Sequence, residues 1–286
     1  MSLAGRRVLV TGGTGFIGSA VVKRLAAAKA EIHLLVRKTS SPDRLGRLWD
    51  KVSRHIGDLG DAASLAACAR KSRADFVIHL AKDREGSSFE KEAAATLRLA
   101  AVLHLELPRL VRWVRTAHSV RERFGPGADA ELCAVIARKG APPLVTLELF
   151  SVYGPGQEPG DFPSSVIREA LAGRAPSDAE ASWKDFVYVE DVAQAYELAA
   201  LAPGVEGRAF QIGSGVLSSE AAVAALARRL IGGKKAVSRR PAGQPSGHPA
   251  DISAARESLR WTPRTSLDDG VRQTIKSWRD RGHDGF

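Results

Sequence analysis

The chain has 286 residues, 44% of them hydrophobic, and a formal net charge of +10 from 42 Lys and Arg against 32 Asp and Glu. That length holds one large α/β domain with a smaller lobe. No apolar run approaches the ~20 residues that span a bilayer, which excludes a helical membrane protein. Two lone cysteines, Cys68 and Cys133, exclude a disulfide framework and fit a reduced, cytosolic protein. The basic residues are scattered rather than interleaved with aromatics, so neither nucleic acid nor membrane is an expected partner. An anionic small molecule is the expected ligand, with a merely solvated basic surface as the alternative.

The first predicted strand covers residues 8–10. It runs into Thr11-Gly12-Gly13-Thr14-Gly15-Phe16-Ile17-Gly18, and residues 19–28 then read as a helix. Gly12, Gly15 and Gly18 give a G-x-x-G-x-x-G spacing between strand and helix. Such a turn lets backbone approach a pyrophosphate, which the helix-start N–H groups face. Because the turn follows the first strand at once, no secretory leader is expected. A second strand is predicted at 31–36 and ends on Arg37-Lys38. A short strand follows at 52–56 and a strong one at 75–80. Further strands are expected at 110–115 and 144–149, with Ala- and Leu-rich helical segments between them. Residues 243–249 form the clearest loop. The alternation predicts a Rossmann-like α/β fold, a doubly wound parallel sheet.

Several segments then appear in a telling order. They are Gly57-Asp58-Leu59, Val77-Ile78-His79-Leu80-Ala81, Ser151-Val152-Tyr153-Gly154-Pro155-Gly156-Gln157 and Lys184-Asp185-Phe186-Val187-Tyr188-Val189-Glu190-Asp191-Val192-Ala193. Phe210-Gln211-Ile212-Gly213-Ser214-Gly215, Asp251-Ile252-Ser253 and Trp261-Thr262-Pro263 complete the series. Together with the glycine turn they resemble the extended short-chain dehydrogenase/reductase family, the NAD(P)-dependent epimerase/dehydratase group, nearly end to end. The resemblance implies a dinucleotide-binding domain at 1–154, to which 183–213 return. It implies a small C-terminal substrate-binding lobe from 155–182 and 214–286. It places cofactor contacts on Gly12, Thr14, Gly15, Phe16, Ile17, Gly18, Asp58, Leu59, Leu80, Ala81 and Lys82. It also implies a homodimer through helices near 88–104 and 128–139. In NAD-preferring relatives an acidic residue commonly follows the second strand. Arg37 and Lys38 suit a 2′-phosphate instead, so NADP(H) is expected over NAD(H).

The chain departs from the family at the acid/base site. A Tyr-x-x-x-Lys pair is the family norm, yet Tyr153, Tyr188 and Tyr196 are the only tyrosines and none has lysine four residues later. Phe124 is the nearest match to the catalytic tyrosine, and a phenyl ring transfers no proton. Thr116-Ala117-His118-Ser119 aligns with the strand end that normally carries a catalytic Ser or Thr. His118 is therefore the expected replacement acid/base, with Ser119 or Thr116 as helper. On the substrate side the resemblance points to Phe150, Ser151 and Lys184. Lys184 stands where relatives that bind nucleotide sugars carry a diphosphate-clamping arginine, and no arginine stands at 246–248. No metal-ligand set is read. The leading expectation is an NAD(P)H-dependent oxidoreductase that reduces a carbonyl-type small molecule with a non-standard acid/base site. A nucleotide-sugar epimerase/dehydratase and a catalytically impaired dinucleotide-binding sensor or partner subunit are the alternatives.

Overall fold

The structure is a computed structural model that describes residues 1–81, 89–118, 142–174, 182–232 and 247–281. The chain divides into two compact units. Unit 1 comprises Met1–Glu148, Ala193–Phe210 and Glu257–Trp261, and unit 2 comprises Leu149–Val192, Gln211–Arg256 and Thr262–Phe286.

Unit 1 begins with β1 (Arg7–Thr11), α1 (Phe16–Ala27) and β2 (Glu31–Val36), followed by β3 (Ser53–Ile56), α2 (Ala62–Ser72) and β4 (Phe76–His79). Then come α3 (Phe89–Glu106), β5 (Arg112–His118) and β6 (Leu144–Leu149). The strands form a seven-stranded sheet in the order β3-β2-β1-β4-β5-β6-β9, where β9 is Ala209–Ile212. β1 pairs in parallel with β2 and with β4, so the strand order reverses beside β1. Parallel strands bury both faces, which explains why all four residues of β4 are buried and why apolar runs rather than alternation mark these strands in the sequence. The fifth strand differs from expectation. A turn in which the Leu110 N–H donates to the Leu107 carbonyl occupies its predicted start, so β5 begins at Arg112 and continues to His118.

Helix α2 shows how local chemistry sets the ends. Asp61 caps its start by accepting from the Ala63 and Ser64 amides, and Arg73 ends it in the left-handed region at φ 44°. The α2 and α3 helices, β4 and β5 supply a core that includes Leu65, Val77, Leu103 and Trp113. Cys68 belongs to this core, and burial pushes its thiol up to about 12, which leaves it unreactive at neutral pH.

Unit 2 contains β7 (Ser151–Tyr153), α4 (Ser164–Leu171) and β8 (Trp183–Tyr188). Helix α5 (Val189–Leu201) starts in this unit and ends in unit 1. After β9 come β10 (Leu217–Ser219), α6 (Glu220–Ile231) and α7 (Leu267–Arg281). A three-stranded sheet runs β10-β8-β7. Its core centres on Tyr153, Phe186 and Tyr188 with Val223, Val271 and Ile275. Tyr153 meets Phe186 and Tyr188 edge-on at 6.2 and 5.7 Å between ring centres.

Gly270 lies within α7, where a β-carbon would stand 2.1 Å from Tyr153 Oη and 2.8 Å from its Cζ. Alanine in a helix interior normally gains about 1 kcal/mol over glycine. Here overpacking against a buried ring costs more, about 1–3 kcal/mol. Gly270→Ala is therefore expected to lower stability in urea unfolding, and a stabilised variant would contradict the packing described.

Candidate active site

The carboxyl ends of β1 and β4 form a cradle where the strand order reverses. Gly12 has φ 73°, and a β-carbon there would lie 2.6 Å from the Ala81 backbone nitrogen. A β-carbon on Gly18 would lie 2.0 Å from the Gly12 carbonyl oxygen. Both positions thus require glycine, while Gly15, at 3.3 Å from the Gly12 oxygen, is less constrained. Gly15 is the N-cap of α1, has no side-chain cap and is followed by a first turn without acidic residues. Thr14, Phe16 and Ile17 are half-buried around it. The start of α1 therefore presents backbone N–H groups and the positive end of its dipole with no side-chain cap among the described residues. A pyrophosphate suits that donor set.

The neighbouring strand ends carry the other expected cofactor residues. Arg37 and Lys38 are exposed just after β2. Asp58 follows β3, and its Oδ1 accepts from the Gly60 amide at 2.7 Å. Leu59 packs against the unit 1 core, and its carbonyl accepts from Arg98. The Leu80 N–H donates to the Thr11 carbonyl at 3.1 Å, and the Ala81 N–H donates to Thr11 Oγ1 at 3.3 Å. Lys82 lies outside the described residues.

Beneath the cradle runs a buried polar chain. Thr11 Oγ1 lies 2.7 Å from His79 Nδ1. Thr11 Oγ1 also accepts from the Ala81 amide, so the fully buried hydroxyl ties the His79 ring to the backbone at the end of β4. Burial pushes the His79 pKa down to about 3, helped by the charge of Arg115, so the ring is neutral at neutral pH. Thr116 Oγ1 donates to the His79 carbonyl at 3.1 Å and lies 2.5 Å from Tyr196 Oη. The Thr116 proton is committed to the carbonyl, so Tyr196 is the donor in that second bond. Burial raises the Tyr196 pKa, against smaller lowering effects from Thr116 and Arg115. Burial likewise raises Tyr153 and Tyr188, so none of the three phenols is poised to ionise.

His118 is the last residue of β5, and its side chain lies outside the described residues, as do Ser119 and the stretch to residue 141 that includes Phe124 and Cys133. Tyr196 and Arg115 were not among the expected site residues. A signal for Tyr196 was present, because it is the one large polar-tipped side chain among buried Ala193, Ala195, Ala199 and Ala200, and a buried phenol needs a partner. Arg115 had no such signal, since a charged residue in a strand normally faces solvent.

Unit 2 holds the expected substrate residues. The half-buried Phe150 donates its N–H to the Ile212 carbonyl at 3.1 Å, and Ser151 pairs with Phe186 at the start of β7. Lys184 Nζ lies 2.7 Å from the buried carboxylate of Glu220. Its neighbour Asp185 is also buried. It accepts from the Ser214 amide at 2.5 Å, the Ser214 hydroxyl at 2.6 Å, and the Gly215 and Ala250 amides at 2.9 Å each. Asp185 therefore fixes the 213–215 turn, and Lys184 already has an anion partner.

The family model for the NAD dependent epimerase/dehydratase family matches residues 8–121 and 128–213. A dTDP-6-deoxy-L-talose 4-dehydrogenase (NAD(P)(+)) of Kitasatospora kifunensis is 30% identical, over 93% of this chain and 94% of its own. The Bordetella bronchiseptica enzyme WbmF in complex with NADH superposes with a TM-score of 0.83 at 25% identity, covering 98% of this chain and 93% of that one. WbmF in complex with NAD+ and UDP gives a TM-score of 0.81 at the same identity and coverage.

His79 is charged in the unfolded chain below its ordinary pKa of 6.5 but neutral in the fold down to about 3. The unfolded state therefore binds the extra proton, and stability falls as pH drops through that window. Between pH 7 and pH 5 this residue alone accounts for about 2 kcal/mol of lost stability. Urea unfolding at the two pH values measures it. His79→Asn is expected to flatten the dependence by that amount, and an unchanged slope would contradict the neutral, Thr11-bonded ring.

Proposed function

We propose that this chain, which belongs to the NAD dependent epimerase/dehydratase family, carries NAD(P)(H) on the β1–α1 cradle and acts on a nucleotide-linked sugar by hydride transfer. The observation that carries this reading is the side-chain-free backbone approach at Gly12 and Gly18 in front of an uncapped helix start. Unit 1 is assigned to the dinucleotide and unit 2 to the substrate. Reduction of an unspecified carbonyl compound is the broader expectation. The nucleotide-sugar form is preferred because a relative spanning nearly the whole chain is a dTDP-sugar dehydrogenase, and WbmF is bound to UDP.

The amides of Phe16, Ile17 and Gly18 in the first turn of α1 would hold the pyrophosphate beside Thr14, while the Gly15 N–H is already given to the Gly12 carbonyl at 3.0 Å. Asp58 and Leu59 would stand beside the adenosine, with Leu80, Ala81 and Lys82 at the other strand end. Arg37 and Lys38 would neutralise a 2′-phosphate, so NADP(H) is the preferred form. The bound dinucleotide supplies the hydride acceptor or donor. The sugar oxygen must exchange a proton as hydride moves. With the three phenols buried and the Tyr196 proton given to Thr116, that proton is assigned to His118, with the Ser119 hydroxyl as helper. Thr116 serves by holding the β4 end through the His79 carbonyl, because its own proton is already committed. Phe150, Ser151 and Lys184 are assigned to the substrate, whose anion would share Lys184 with Glu220.

A homodimer through α3 accompanies this reading. Ala94, Leu97, Ala101 and Leu105 are exposed at helical spacing on one face, Leu105 at 75% exposure. Leu97→Glu with Leu105→Glu is expected to convert a dimer to a monomer in light scattering after size exclusion. A wild-type monomer, or a dimer indifferent to the change, would contradict it.

The functional test is turnover of dTDP- and UDP-linked sugars with NADPH or NADH, wild type beside His118→Ala. Loss of the acid/base group is expected to lower kcat by about 10²–10⁴-fold while dinucleotide affinity stays unchanged. Full turnover in the variant would remove His118 from the mechanism. Tight dinucleotide binding with no turnover by the wild type across the panel would favour the sensor or partner-subunit reading.

A further inference from the structure

At the opposite end of β1 from the cradle, the starts of β1 and β2 meet the end of α2. Between them lies a groove of about 470 Å³ lined by Arg7, Glu31, His33, Arg70, Lys71 and Arg73. Four cations thus face one lining carboxylate. Glu31 is engaged with His33, whose Nε2 lies 3.3 Å from its Oε1. Arg70 is paired with Glu106 at 2.5 Å, and Arg7 reaches Asp75 only at 4.0 Å. Lys71 and Arg73 are exposed and form no ion pair among the described residues.

The backbone adds a second observation. Arg73 holds φ 44° at the end of α2, a conformation in which glycine is the least costly residue. Cations there interact well with the α2 carbonyl end, which accounts for Arg70 and Lys71 in the last turn and for Arg73 at the cap. This does not account for Arg7, which approaches the same groove from the sheet. Like charges converging from two walls repel one another unless an anion lies between them. Guanidinium forks match the paired oxygens of a phosphoryl group.

We propose that this groove is a second anion site, distinct from the cradle, that takes the phosphoryl group of a small molecule. Arg7 and Thr11 stand at opposite ends of β1, about 13 Å apart. One pyrophosphate therefore cannot occupy both places. Arg73 and Lys71 supply the free charges, and Arg7 and Arg70 complete the walls.

The test is calorimetric titration of inorganic pyrophosphate, and separately of ADP, into the full chain in phosphate-free buffer. Each titration is run with and without saturating NADPH. The variants are Arg73→Gly, which keeps the left-handed backbone while removing the charge, and Lys71→Ser. Pyrophosphate is expected to bind in the presence of NADPH, and each variant is expected to weaken it by about tenfold. Tighter binding of ADP than of pyrophosphate would support a nucleotide as the ligand. Equal or weaker binding would support the inorganic ion or another phosphate ester. The proposal is overturned if wild type binds neither probe, if both variants bind as wild type does, or if NADPH abolishes the binding. Should the protein bind no NADPH at all, the cradle reading fails, while the two variants still decide this one.

Discussion

The structure of unit 1 depends on the contact between Gly12 and the end of β4. A β-carbon on Gly12 would meet the Ala81 nitrogen, so the two strand ends approach as closely as bare backbone allows. Thr11 secures the approach from below by accepting the Ala81 N–H and sharing a hydrogen bond with His79. Everything expected of the cradle follows from that closure. The strand order reverses beside β1, α1 begins with open N–H groups, and Leu80 and Ala81 are held beside it. The chain belongs to the NAD dependent epimerase/dehydratase family, whose model matches it over this part.

A buried polar chain runs under the cradle and ties its strands together. A buried arginine, Arg115, sits in β5 close to a neutral histidine and a buried phenol. The hydroxyl directions are fixed, from Tyr196 to Thr116 to the His79 carbonyl, and end on backbone. Such a chain holds strands in place and does not carry protons away. On the proposed reading the proton is exchanged by a group outside this polar chain, which is why it is assigned to His118.

Much of the fold was legible because parallel strands leave apolar runs. Residues 31–36 and 144–149 read as strands and form β2 and β6. The fifth strand read less well, since the 107–110 turn and the charged Arg112 and Arg115 disguise its limits. The glycine turn was legible at the level of the site, because Gly12 and Gly18 are dictated by backbone geometry. The partnering of Lys184 with Glu220 and the four bonds to Asp185 were not, since they join residues 29 to 65 positions apart. The same limit hid Tyr196, whose partner Thr116 is 80 residues away.

The central claim is that the β1–α1 cradle holds a dinucleotide and that Arg37 and Lys38 select its phosphorylated form. Calorimetric titration of the purified full chain with NADPH and with NADH tests it most directly. The account predicts saturable binding of both at one site per chain, with NADPH the tighter. Absence of binding by either would contradict the cradle, and tighter binding of NADH would contradict the role given to Arg37 and Lys38.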